Sequence, residues 1–138
     1  MIPTCTRRLE FDAAHRVTRH GGKCHNLHGH RYRVELTVAG VIPEDGMILD
    51  FGLVKQIVGG WIDEHLDHGA ILARDDDALI ALVREQGWKL YVLDVEPTAE
   101  NIAILLLGTA RTLLTDHGIE VVGVEVWETP NCRATVTR

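Results

Sequence analysis

No stretch of this chain stays apolar for anything near the roughly 20 residues that a helix needs to cross a bilayer, so the sequence offers no membrane-spanning segment. Positive charge is in deficit: 14 Lys and Arg stand against 20 Asp and Glu, a formal net charge of −6. That balance argues against general nucleic-acid binding, but local basic residues can still meet an anionic small molecule. Cysteine is scarce and odd in number, at positions 5, 24 and 132 with no CxxC pair. Such thiols do not make a disulfide framework, and a reducing cytoplasm is the expected compartment. The opening residues, Met1 to Arg8, lead straight into an alternating pattern with no signal-like apolar core. Repeats, low-complexity tracts and linkers are missing too. A single domain over residues 1–138 is therefore expected, long enough to bury a core without staples.

What is present is two alternating segments that end in histidine. Cys5, Arg7, Leu9, Phe11 and Ala13 share a parity, and His15 is the next member. Tyr32, Val34, Leu36 and Val38 share a parity that runs back through His30 to His28. Side chains two apart on a strand face the same way, so strands over 4–15 and about 30–40, joined by a loop at 16–29, can bring three imidazoles to one end of a sheet. Further on, Phe51, Val54, Ile57, Val58, Trp61, Ile62 and His65 follow helical spacing, with Asp50 as N-cap and Gly59-Gly60 as a weak point. Residues 75–86 read as a short helix with acids at its start, and Leu90–Asp94 as a strand. Thr98 caps a second long helix that Gly118 stops. Val122, Val124 and Val126 mark a closing strand that can pair with 134–137. This order points to α+β: an antiparallel sheet with helices on one face.

Neutral imidazoles are common zinc ligands, and three of them leave a coordination position open for catalysis. Spacing leaves Cys24 three readings: a fourth ligand, an inert thiol, or a thiolate activated by Lys23 and a nearby cation. His20 and His25 are expected in solvent. Asp67-His68 can support proton transfer, although such a pair is commonly surface decoration. Glu128 continues the parity of Val122, Val124 and Val126. A carboxylate there either meets water at a frayed strand end or, if buried, needs a partner, and two parallel N–H donors of a ligand such as a pterin would serve.

Phe11-x-Ala13-Ala14-His15, Cys24-x-x-x-His28-Gly29-His30, Asp50-Phe51, Leu66-Asp67-His68, Pro97-Thr98-Ala99-Glu100-Asn101 and Glu128-Thr129 run in order along the chain. Together they resemble the family of 6-pyruvoyl-tetrahydropterin synthase and its bacterial relative, 6-carboxytetrahydropterin synthase. The resemblance implies the tunnelling fold, with two long helices packed on one face of an antiparallel sheet, assembled as a homo-hexamer of two stacked trimers. It implies Zn2+ on His15, His28 and His30, a proton-transferring thiolate at Cys24, and Asp67 and His68 completing the catalytic set. Glu128 would anchor the pterin, with Thr98 in the same substrate site. The implied substrate is 7,8-dihydroneopterin triphosphate, with Arg16, Arg19, Lys23 and Arg31 as candidate triphosphate contacts. The implied product is 6-carboxytetrahydropterin with acetaldehyde, on the way to queuosine, or else the pyruvoyl compound. The short chain favours the first, and Cys24 argues against the branch that carries an acid in its place. A non-catalytic zinc or pterin-binding module of the same fold is the remaining alternative. Residues 75–87 look like an insertion relative to the shortest members, and the tail after Glu128-Thr129 is not among the elements that carry the resemblance.

Overall fold

The alternation along residues 4–15 becomes strand β1, Thr4–His15, paired antiparallel with β2, His28–Ala39. Leu9, Phe11, Ala13 and His15 of β1 and Tyr32, Val34, Leu36 and Val38 of β2 are buried. The inward parity fixes the register, because a one-residue slip would turn every apolar side chain to solvent. The computed structural model describes residues 1–138 and contains four further strands: β3 Gly69–Ala73, β4 Leu90–Leu93, β5 Glu120–Thr129 and β6 Cys132–Thr137. They form one sheet in the order β4-β3-β1-β2-β5-β6.

The β1, β2, β5 and β6 portion is antiparallel, as the alternation implies. The sheet as a whole is mixed, because β3 runs parallel to both β1 and β4. Strand β3 escapes sequence reading for a physical reason. Ile71, Leu72 and Ala73 are all buried, so the strand is covered on both faces and shows no alternation. Parallel neighbours need a crossover, and helix α2, Asp77–Glu85, supplies it. Ile80 and Val83 of α2 pack with Leu72 in a core separate from the main one. The acidic stretch that looks like an insertion is thus the crossover between two strands of the sheet.

Two long helices cover the main core. Helix α1 spans 51–65 and contains a π turn at Lys55–Gly59. Its inward residues Val54, Val58, Ile62 and Leu66 are each fully buried and recur every four positions. A regular α-helix would rotate that stripe off the core, and one i→i+5 turn takes in the extra residue that keeps it facing inward. Gly59 and Gly60 therefore do not end the helix. Asp50 caps it through Gly52 N–H at 2.8 Å, a contact worth about 1 kcal/mol. Helix α3, Ala99–Leu114, is capped by Thr98, whose hydroxyl accepts Asn101 N–H at 3.3 Å, and its end turns through Gly118 at φ 67°. No helix is long and apolar enough to cross a membrane.

The parity of β5 departs from a simple reading at one point. Val124 and Val126 are buried as expected, but a bulge opposite Thr37/Val38 turns Val121 inward and leaves Val122 only half-buried. Glu128 keeps its place on the inner face, one step beyond Val126.

Candidate metal centre and catalytic groups

The three-histidine cluster follows from the β1–β2 register. His15 stands directly opposite His28, and Ala13 opposite His30. Directly opposed antiparallel residues have Cβ atoms only about 4.5–5.5 Å apart, so the rings must meet. Their centroids are 4.6 Å apart for His15 and His28, 5.0 Å for His15 and His30, and 4.9 Å for His28 and His30. Gly29, within β2 between the two histidines, lies close to β1: a Cβ there would stand 3.2 Å from the Ala13 carbonyl oxygen.

Backbone carbonyls orient two of the rings. His15 Nδ1 lies 2.6 Å from the Pro97 carbonyl oxygen, and His28 Nδ1 lies 2.7 Å from that of Asn26. In each ring Nδ1–H donates to the carbonyl, which leaves the Nε2 lone pair free. The two Nε2 atoms face each other at 3.1 Å. One potential ligand atom from each of the three residues lies within 4.8 Å of the others. Two of the rings, His15 and His30, are shifted toward the neutral form. Burial lowers the His15 pKa to about 4, against the pull of the Pro97 carbonyl and helped by the two neighbouring imidazoles. Burial also lowers that of His30, opposed by Glu128. Neutral imidazole is the form that binds a metal.

Tyr32 forms the floor of the cluster. It is fully buried, stacks on Phe11 at 5.0 Å between centroids, and meets His15 and His30 edge-on at 5.8 and 5.5 Å. Burial and the Glu128 carboxylate raise its pKa, so it stays a neutral phenol. Its place two residues after His30 was the sequence signal for this role. The Pro97 carbonyl, by contrast, lies 82 residues from His15 and left no such signal.

His15, Cys24, Thr98 and Glu128 line one cavity of about 220 Å³. Cys24 reaches it from a short 3₁₀ turn at Lys23–His25 and is a free, half-buried thiol. The Glu128 carboxylate is about a quarter exposed and lies 3.9 Å from the neutral His15 Nε2. His20 lines the same cavity, while His25 is exposed, with Nδ1 donating to the Thr18 carbonyl at 2.9 Å.

Asp67 and His68 are elsewhere. They follow α1 and border a different cleft of about 380 Å³, which His68 lines with Asp12, Ala14, Gly29, Arg31 and one member of the histidine cluster, His30. His68 Nδ1–H donates to Asp67 Oδ2 at 2.8 Å, and Asp67 Oδ1 accepts the Asp12 N–H at 2.9 Å. Partial burial alone would raise the Asp67 pKa; the Asp12 bond, His68 and Lys89 outweigh it and hold the carboxyl below its usual range. Lys89 Nζ also donates to the Asp63 and Asp67 carbonyls, both at 2.7 Å, and so closes the end of α1. His68 has φ 59°, the one positive value outside glycine. The left-handed conformation costs a residue with a Cβ roughly 1–2 kcal/mol, and strain of this kind is concentrated at functional sites. One chain therefore gathers His15, His28, His30, Cys24, Thr98 and Glu128 at one place and the Asp67–His68 pair at another.

Most of the basic candidates for a triphosphate are already engaged. Arg16 faces Asp76 at 3.2 Å, Arg19 faces Asp75 at 3.5 Å, and Arg31 holds Asp12 at 2.8 Å and Glu10 at 3.2 Å. Lys23 has no ion pair of this kind and stands beside Cys24.

The sequence profile of 6-pyruvoyl tetrahydropterin synthase matches residues 4–138. The 6-carboxy-5,6,7,8-tetrahydropterin synthase of Rickettsia bellii is 44% identical over 131 residues, spanning 93% of this chain and 95% of the relative. The Haemophilus influenzae protein of the same name is 30% identical over 132 residues, spanning 91% and 92%. In fold, the chain is similar to an uncharacterised protein of Wolinella succinogenes, with TM-score 0.87, 24% identity and coverage of 100% and 99%. It is also similar to Caenorhabditis elegans 6-pyruvoyl tetrahydropterin synthase, with TM-score 0.75, 23% identity and coverage of 100% and 96%. A profile match over nearly every residue, together with relatives of this identity and coverage, shows that the chain belongs to the 6-pyruvoyl tetrahydropterin synthase family.

Proposed function

We propose that this chain is a zinc-dependent cytoplasmic lyase that converts 7,8-dihydroneopterin triphosphate and one water to 6-carboxy-5,6,7,8-tetrahydropterin, acetaldehyde and triphosphate, in queuosine-type deazapurine biosynthesis. The observation that carries this reading is the convergence of three imidazoles, one of which, His15, lines a cavity with a thiol and a carboxylate. Relatives named for the carboxy product favour it over the pyruvoyl product.

The donor set fits zinc. Two nitrogens bound at about 2.0–2.1 Å to one tetrahedral ion lie about 3.3 Å apart, and the facing Nε2 atoms of His15 and His28 stand at 3.1 Å. His30 would complete the protein ligands. When bound, the ion supplies Lewis acidity toward the side-chain hydroxyls of the substrate. Glu128 accepts the paired N–H donors of the pterin, and Thr98 borders the ring's place in the same cavity. Cys24 moves a proton on the substrate side chain. His68, with Nδ1–H committed to Asp67, offers Nε2 for the partner transfer.

Because His68 and Cys24 open on different cavities, the chain supplies His68 to the thiol site of a neighbouring copy. The reading therefore includes the homo-hexamer of two trimers, with the edge strands β4 and β6 meeting those of other copies. Complementation tests it. Cys24→Ala and His68→Ala should each keep their metal and lose turnover. Refolded together in equal amounts, they should regain about a quarter of wild-type activity, the fraction of seams that receive both intact residues. No recovery would refute the shared site, and metal loss from Cys24→Ala would make that thiol a ligand.

A further inference from the structure

The loop that carries Cys24 has little apolar burial to hold it, since residues 19–23 are exposed. Polar anchors hold it instead. At its foot, Arg16 Nε stands 3.2 Å from the carboxylate of Asp76, which is buried although it belongs to the acidic stretch before α2. On the other flank, Glu96 accepts the Thr18 N–H at 2.9 Å with one oxygen and the Thr18 hydroxyl with the other. Arg19 Nε lies 4.0 Å from the same carboxylate.

Thr18 passes this constraint to the thiol. Its carbonyl accepts His25 Nδ1–H at 2.9 Å, and the adjacent Val17 N–H donates to the Cys24 carbonyl at 2.8 Å. The backbone on one side of Cys24 and the ring on the other are thus tied to two residues beside the Glu96 carboxylate. Glu96 itself is fixed: its carbonyl accepts Asn101 Nδ2–H at 2.9 Å, and the next residue is Pro97, whose carbonyl orients His15. One short segment therefore sets both the metal-site imidazole and the thiol loop.

We infer that Glu96 is a positioning residue, which uses both carboxylate oxygens on Thr18 to hold the Cys24 loop in place against the cavity of His15. Both oxygens are engaged, one by the Thr18 N–H and one by its hydroxyl. A glutamine could keep both contacts, its oxygen on the N–H and its NH2 donating to the hydroxyl oxygen, whereas an alanine removes both. The inference rests on Cys24 acting as the thiol of the proposed reaction.

The test compares Glu96→Ala, Thr18→Val and Thr18→Ser in the metal-loaded full chain. Glu96→Ala and Thr18→Val should lower kcat about tenfold or more, as a displaced reacting group does, with KM and metal content little changed. Thr18→Ser keeps both donors and should stay near wild type. The Glu96→Ala/Thr18→Val double variant should be no worse than Glu96→Ala alone, because the contact that Thr18→Val removes is already gone there. Alkylation of Cys24 by iodoacetamide, separated from Cys5 and Cys132 by peptide mass mapping, should be faster in both impaired variants. That readout does not need turnover: an inactive wild type would sink the proposed function while alkylation still reports on the clamp. Wild-type kcat and alkylation in Glu96→Ala would overturn the inference, as would an equal loss in Thr18→Ser or loss of metal from Glu96→Ala.

Discussion

Stripped of metal, the protein should lose stability on the acid side of neutrality, and His15 should account for a measurable share. The side chain titrates near 4 in the fold, against 6.5 when free. Between those values the unfolded chain binds a proton that the folded chain refuses. Its contribution is therefore complete above 6.5 and is lost as pH falls toward 4. Integrated between pH 7.5 and 4.5, the loss from this one group is about 2.5 kcal/mol, a large fraction of an ordinary domain's stability. His30, shifted the same way, adds to it. Asp67, with its pKa depressed, acts only at lower pH, so its loss falls mostly outside this interval. Urea unfolding in chelator, at one fixed protein concentration, would measure the effect in wild type and in His15→Gln, which cannot titrate. The fall in stability between the two pH values should be smaller in the variant by about 2.5 kcal/mol. Equal falls in the two proteins would refute the reasoning that burial keeps His15 neutral for a metal.

Other consequences are as direct. His68→Gly removes a Cβ from a left-handed position and loses one exposed bond to Asp67, so unfolding should show stability between unchanged and about 1 kcal/mol higher. Activity should vanish at the same time, and a clearly destabilised His68→Gly would show that His68 is there for the fold. Glu128→Gln should weaken pterin binding by at least about 1.5–3 kcal/mol in calorimetry, with metal content unchanged. Unaltered binding would make Glu128 only the end of a strand.

Much of the fold and the metal-site geometry could be read from the sequence, because one physical rule governs both. Along β1 and β2 the inward parity that buries Phe11, Tyr32 and Val34 also carries His15, His28 and His30, so the core pattern and the candidate ligands came together. Elements lacking that rule were hidden. Strand β3 is buried on both faces and does not alternate. The bulge in β5 shifts parity at Val122, and the π turn in α1 depends on the core it packs against. Within the site, Thr98 and Glu128 carry motif signals, but their cavity with Cys24 is formed by segments far apart in sequence. Arg16, Arg19 and Arg31 looked like free cations because their carboxylate partners lie 19 to 77 residues away. Glu96 was a single acid in a loop, and only its two bonds to Thr18 distinguish it.

The central claim is the reaction, and the product tests it most directly. Metal-loaded protein incubated with 7,8-dihydroneopterin triphosphate, with products resolved by mass spectrometry, should yield 6-carboxy-5,6,7,8-tetrahydropterin and acetaldehyde in equal amounts. Accumulation of the 6-pyruvoyl compound without acetaldehyde would contradict the carboxy reading, and unconsumed substrate would contradict the enzyme itself.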